Sequence, residues 1–163
     1  MITILGLGNI LLQDEGLGVH FIRWMKGRHD FFSPVRIVDG GTLGFLLLDV
    51  VCESEYLLVI DAVKVDDKPG SMYRFTPADL SGEYLSQGAA HDASFFQVLL
   101  QAEMIQQAPR DWVIIAVVPE NIQGFGLSVT PEVKDTFVEI EKQVFAELQR
   151  WGGGGRKKGE EYM

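Results

Sequence analysis

Four short and almost uninterrupted apolar runs constrain the fold of this chain more than any other feature. They are Ile2–Leu7, Val35–Asp39, Tyr56–Val63 and Trp112–Val118. Runs of this kind are typical of β-strands that are buried on both faces of a parallel sheet. We therefore predict that these four segments form the central strands of one sheet.

Segments with helical periodicity separate these runs. Leu17, Phe21 and Trp24 recur at helical spacing in the first of them. The last segment is predicted as one helix, with Thr130 as its N-cap, Pro131 in its first turn and an apolar stripe that continues to Trp151. A further helix is predicted from the apolar residues Phe95, Val98, Leu99 and Ala102.

The alternation of strands and helices predicts an α/β fold. We expect a three-layer α/β/α sandwich around a mostly parallel sheet of about five strands. The fifth strand is Ser71–Phe75, which follows the turn sequence Asp67-Lys68-Pro69-Gly70 and is predicted as an antiparallel edge strand. Residues 1–151 are expected to form a single domain, and residues 152–163 a loose Gly-rich tail that can be removed.

Charge and composition exclude several classes of protein. The net charge is −9, which would repel a nucleic acid backbone. No apolar stretch approaches the roughly 20 residues of a membrane span, and the first residues lack the basic region of a signal peptide, so we expect a cytoplasmic protein. Cys52, the single cysteine, is predicted to be a buried and inert thiol. We expect a monomer.

Four chemically versatile side chains are predicted at the carboxyl ends of the strands, where open α/β sheets bind their ligands. Glu15 stands at the mouth of the first helix, while Asp39 and Asp61 end the second and third strands. His91 follows a long irregular stretch. Each has a structural alternative, such as a favourable charge at a helix terminus or a brace within a loop. Together, two carboxylates and an imidazole suit a borderline divalent metal with coordination positions left open.

The sequence resembles the hydrogenase maturation endopeptidases over nearly the whole chain before the tail. No single block of residues carries this resemblance, but the ordered set is specific. The set is Gly6-Leu7-Gly8-Asn9, Asp14-Glu15-Gly16-Leu17-Gly18, Asp39-Gly40-Gly41-Thr42-Leu43-Gly44, Ile60-Asp61-Ala62-Val63, His91 and Gly126-Leu127-Ser128.

The resemblance implies an enzyme that removes the C-terminal extension of a nickel–iron hydrogenase large-subunit precursor after nickel insertion. It implies that Glu15, Asp61 and His91 contact metal. The nickel is expected to come with the substrate, and no organic cofactor is expected. The block Gly40-Gly41-Thr42 is assigned to substrate binding, and Asp39 is our candidate for the general base.

Other functions remain open at this point. A self-contained metallohydrolase would hold its own ion without substrate. A non-catalytic nickel-binding or chaperone-like module would bind the hydrogenase subunit without shortening it. A nucleotide-binding domain is least favoured, because Leu11 occupies the place of the third glycine of the dinucleotide fingerprint that begins at Gly6 and Gly8.

Overall fold

The computed structural model describes residues 1–79, 93–121 and 124–160. The strands are β1 (Ile2–Leu7), β2 (His29–Phe31), β3 (Val35–Gly41), β4 (Tyr56–Ala62), β5 (Met72–Phe75), β6 (Asp111–Val117) and β7 (Gly155–Lys157). Five of them form a central sheet with the order β3-β1-β4-β6-β5. Neighbouring strands of this sheet are parallel except for β5, which is antiparallel to β6, as the sequence predicted.

Helices cover both faces of the sheet and give it the predicted three layers. The helices are α1 (Leu17–Arg28), α2 (Leu48–Glu53), α3 (Ala93–Met104), α4 (Pro131–Lys134) and α5 (Phe137–Arg150), with 3-10 turns at Gln13–Gly16, Gly44–Leu47 and Pro77–Asp79. One apolar core lies between the sheet and α1, α4 and α5, and a second lies between the sheet and α2 and α3. In the part of the chain that the structure describes, no helix has the length and apolar character needed to cross a membrane.

The predicted final helix is in fact two helices, α4 and α5, separated by Asp135 and Thr136. The hydroxyl of Thr136 donates a hydrogen bond to the carbonyl oxygen of Val133 at 2.6 Å, a local bond of the kind that competes with regular helix geometry. The apolar stripe is nevertheless continuous, since Val133 and Phe137 are both buried in the same core. Thr130 occupies the N-cap position of α4, as predicted, but its hydroxyl bonds to Asp14 and makes no capping bond to a helix amide.

Residues 152–163 were predicted to be loose, but in the structure Gly155–Lys157 form the strand β7. β7 pairs antiparallel with β2, and the amide of Phe32 donates to the carbonyl oxygen of Gly154 at 2.9 Å. The glycines in this segment permit close packing: a β-carbon on Gly155 would lie 2.9 Å from the carbonyl oxygen of Asp30. At Gly155 the absence of a side chain therefore allows close contact between two backbones.

Candidate functional site

The start of α1 lies directly on the carboxyl ends of β1 and β4. A β-carbon on Gly18 would lie 2.1 Å from the carbonyl oxygen of Ile60 and 2.5 Å from that of Leu7. A β-carbon on Gly6 would lie 2.4 Å from the carbonyl oxygen of Gly18. Only glycine fits at these two crossing points, so the spaced glycines of the sequence allow a close backbone approach.

The turn that carries Glu15 is held against the same edge. Gly8 has a φ of +125°, and a β-carbon there would lie 1.8 Å from the carbonyl oxygen of Glu15. The 3-10 turn Gln13–Gly16 also contacts β4, the strand that ends near Asp61. The half-buried Glu15 is thereby placed on a turn that touches the strand carrying the second predicted metal ligand.

Asp14, beside Glu15, is a structurally important residue that the sequence reasoning missed. Its side chain is fully buried and accepts hydrogen bonds from the amides of Glu120 at 2.9 Å and Asn121 at 3.0 Å. It also accepts bonds from the amide and the hydroxyl of Thr130, each at 2.7 Å. These partners are more than 100 residues away in the chain, so no local pattern identifies them.

Asp61 lies at the carboxyl end of β4 with only 6% of its surface exposed. One of its oxygens, Oδ1, accepts a hydrogen bond from the amide of Ala62 at 2.8 Å. Its side chain lines a small apolar pocket on the α3 side of the sheet, together with Phe95 and Phe96 near the start of that helix. A carboxylate in such surroundings needs a polar or charged partner.

The predicted three-residue metal site is only partly within the described structure. His91 lies outside the described residues, and α3 begins two positions after it, at Ala93. Within the ranges that are described, no group of three His, Cys, Asp or Glu side chains is arranged to hold a metal ion. The assignment of Glu15, Asp61 and His91 to metal binding therefore stays a prediction.

Asp39 lies in a different place, in an open groove on the α1 side of the strand ends. Its Oδ2 accepts a hydrogen bond from Nη2 of Arg23 at 3.1 Å, and its Oδ1 accepts one from the amide of Gly41 at 3.1 Å. Gly41, whose φ is +48°, and Thr42 line the groove with Asp39. Gly40 does not line it, because it is buried against the side chains of Leu5 and Leu7.

The carboxylate of Asp39 stabilises its own loop through the bond to Gly41 and also faces the groove. The groove is open to solvent and has a volume of about 480 Å³, within the range of small-ligand sites. Its lining comprises Gly8, Asn9, Ile10, Leu11, Val19, Arg23, Asp39, Gly41 and Thr42. The structure thus joins Asp39, Gly41 and Thr42 in one groove and places Asp61 in a separate pocket at the same edge of the sheet.

Cys52 does not have the surroundings of a nucleophile. The thiol is half-buried, and its pKa is raised by this burial and by the nearby carboxylates of Asp49 and Glu53. A raised pKa reduces the thiolate fraction that reacts, so this residue is a poor candidate for covalent catalysis.

A family model and several known proteins match most of this chain. The model of the hydrogenase maturation protease family, HycI, matches residues 19–147. The chain belongs to this family. The protease is 32% identical over 155 residues to the hydrogenase expression/formation protein HoxM of Cupriavidus necator, covering 94% of this chain and 76% of HoxM. It is 29% identical over 152 residues to the hydrogenase 2 maturation protease of Escherichia coli, covering 93% and 92% of the two chains.

The fold of the protease is shared with a solved member of the family. The structure of the hydrogenase maturating endopeptidase HybD from Escherichia coli superimposes with a TM-score of 0.85 at 27% identity, and covers 98% of this chain and 99% of HybD. The resemblance inferred from the sequence blocks is therefore confirmed, as is the prediction that the chain is a peptide hydrolase.

Proposed function

We propose that this protease removes the C-terminal extension of a nickel–iron hydrogenase large-subunit precursor after nickel has been inserted, and that it recognises the nickel in its substrate. Membership of the maturation protease family supports the substrate class. The observation that carries the proposal is the glycine-mediated packing of α1 on the strand ends. This packing brings the turn that bears Glu15 into contact with the strand that bears Asp61.

In this proposal Glu15, Asp61 and His91 are ligands to the substrate's nickel. Carboxylate oxygens and an imidazole nitrogen suit a borderline divalent ion, and three such ligands leave positions for groups from the substrate. The acidic character of the site also supports this role, because neighbouring carboxylates repel one another unless a cation or a proton neutralises them. The complete coordination sphere forms only when the loaded precursor is present.

Asp39 is the proposed general base. Arg23 and the amide of Gly41 each bond to one of its oxygens and so fix the plane of the carboxylate. Each oxygen retains a lone pair that can take a proton from a water molecule in the groove. Holding the precursor by its nickel places the scissile peptide near this water, and such positioning supplies a large part of the lowering of a hydrolytic barrier.

The test compares nickel-loaded and nickel-free precursor under chelator-controlled conditions and follows the mass of the large subunit. Only the loaded form is expected to lose its extension. Equal cleavage of both forms would point to a self-sufficient hydrolase. Binding without any change of mass would point to a chaperone-like module.

A pair of variants tests the metal ligands. Asp61→Asn is expected to abolish cleavage of the loaded precursor and to leave the protease folded. Asp30→Asn is the matched control, because Asp30 is exposed on β2, which follows the end of α1 away from the carboxyl edge. If Asp61→Asn cleaves as well as Asp30→Asn, the residue is not a ligand in the reaction.

A further inference from the structure

Several large apolar side chains beside the groove are exposed to solvent. Leu46 is 75% exposed and Phe125 is 87% exposed. Single exposed apolar residues are common on protein surfaces, but a contiguous group marks an interaction site. The exposed apolar residues on the loops that adjoin the groove are Leu11, Leu43, Leu46, Phe125 and Leu127.

Three of these residues lie on two adjoining segments, one of which lines the groove; we call them the first lip (Leu11, Phe125 and Leu127). An isolated parallel bridge joins Leu12 to Gly126, and the amide of Gly126 donates to the carbonyl oxygen of Leu11 at 2.9 Å. These two bonds hold the segment that carries Phe125 and Leu127 directly against the segment that carries Leu11. Leu11 itself lines the groove, which makes this lip continuous with it.

The other two residues form the second lip (Leu43 and Leu46). The amide of Leu46 donates to the carbonyl oxygen of Leu43 at 3.1 Å, an i to i+3 bond that closes a tight turn and keeps the two residues near each other. Leu43 directly follows Thr42, which lines the groove. The amide of Gly8 donates to the carbonyl oxygen of Gly41 at 2.8 Å, so the strand-end loops below the two lips are bonded to each other.

The charges of the groove indicate what it accepts. Arg23 and Asp39 are the two charged residues in its lining, and they neutralise each other through their ion pair at 3.1 Å. A strongly charged ligand therefore gains little here. A second copy of the chain is also disfavoured, because both copies would carry a net charge of −9.

We propose that the two lips bind apolar side chains of the precursor on both sides of the peptide segment that lies in the groove. This inference rests on the proposed function for the identity of the partner. It assigns to the lips the selection of an apolar, uncharged segment around the cleaved bond. Nickel recognition and segment recognition are then separate contributions to specificity, made at two places along the same edge of the sheet.

The test measures cleavage kinetics and equilibrium binding with the nickel-loaded large-subunit precursor of the source organism. The double variant Leu46→Ser with Phe125→Ser changes one residue of each lip. The matched control is Met104→Ser with Ile105→Ser, because these residues are also exposed but lie at the end of α3, shortly before β6 begins at the opposite edge of the sheet.

The lip variant is expected to raise KM and the dissociation constant by about tenfold, as the loss of two apolar anchors does in other interfaces. Its kcat and its thermal stability should stay close to those of the control, since both side chains are already in water. Affinity in the lip variant equal to that of the control would overturn the inference. Concentration-dependent self-association in sedimentation that the lip substitutions abolish would also overturn it, by assigning the surface to a second copy.

The outcomes separate this inference from the proposed function. If the wild-type protease binds the precursor through the lips but does not shorten it, the proposed cleavage is contradicted and the binding role of the lips is supported. If the wild-type protease cleaves the precursor and the lip variant binds it as tightly as the control, the proposed cleavage is supported and the binding role of the lips is contradicted. If the wild-type protein neither binds nor cleaves the precursor, both fail.

Discussion

The replacement of Asp14 by alanine tests whether the site depends on a buried carboxylate that makes no contact with substrate in our proposal. Asp14 accepts four hydrogen bonds, three of them from backbone amides of Glu120, Asn121 and Thr130. Alanine removes every acceptor atom. The turn Gln13–Gly16, which carries Glu15, then loses its side-chain bonds to the loop that follows β6, and only backbone bonds such as that from the amide of Asp14 to the carbonyl oxygen of Asn121 remain.

The expected fall in the free energy of unfolding follows from the three backbone amides that lose their acceptor. An unsatisfied buried donor costs about 1–3 kcal/mol, and water that enters the gap left by the smaller side chain favours the lower end of this range. The hydroxyl of Thr130 can rotate to another acceptor and adds little. We expect the free energy of unfolding to fall by about 3 kcal/mol, at about 1 kcal/mol for each amide. For a chain of this size, that corresponds to a lowering of Tm by about 6–12 °C.

The assay is urea-induced unfolding followed by tryptophan fluorescence and circular dichroism, with Asp30→Ala as a control at an exposed aspartate. Asp14→Asn should give an intermediate loss, because its amide oxygen still accepts while its NH₂ group faces other donors. A loss below about 1 kcal/mol for Asp14→Ala, within the range of ordinary surface changes, would refute the reasoning. Unchanged stability with lost cleavage would show instead that Asp14 takes part in the reaction.

Three further predictions follow from the contacts described above. Gly18→Ala should destabilise the protease by more than about 2 kcal/mol in urea unfolding, because its β-carbon would lie 2.1 Å from the carbonyl oxygen of Ile60, and a smaller loss would contradict the close packing. A chain that ends after Trp151 should lose about 1–3 kcal/mol, because the hydrogen bonds between β2 and β7 are removed, and equal stability of the shortened chain would show that β7 contributes nothing. NMR titration of His20 should give a pKa below its ordinary value of 6.5, because burial, and then the charge of Arg23, lower it. The unfolded chain then binds more protons in the interval between the two values, so this histidine reduces stability as the pH falls from 6.5 through that interval; a measured value of 6.5 or above would contradict this.

The sequence alone was sufficient to predict the layers and the sheet. Ile2–Leu7 and Tyr56–Val63 are apolar on both faces, and only a strand covered by helices on both sides buries such a run. The antiparallel edge strand also followed from local information, since a turn sequence precedes it. These features can be predicted because apolar periodicity and turn sequences are local signals that span only a few residues.

Part of the site could also be predicted, because the carboxyl ends of parallel strands meet at one edge. This rule placed Asp39 and Asp61 at that edge. It did not reveal that the two carboxylates line separate pockets, since opposite faces of a sheet are distinguished by the exact register of each side chain. The sequence also did not reveal the neutralising pair of Asp39 with Arg23, which comes from a neighbouring helix.

Only the tertiary structure decided the roles of Asp14, Thr130 and the last strand. Asp14 and Thr130 are 116 residues apart, and β7 lies against a strand more than 100 residues before it. Hydrogen-bonding groups must find partners on folding, but the partner is chosen by which backbones the packed layers bring together. The apolar pattern specified the layers through local periodicity, whereas these polar contacts exist only after the layers have packed.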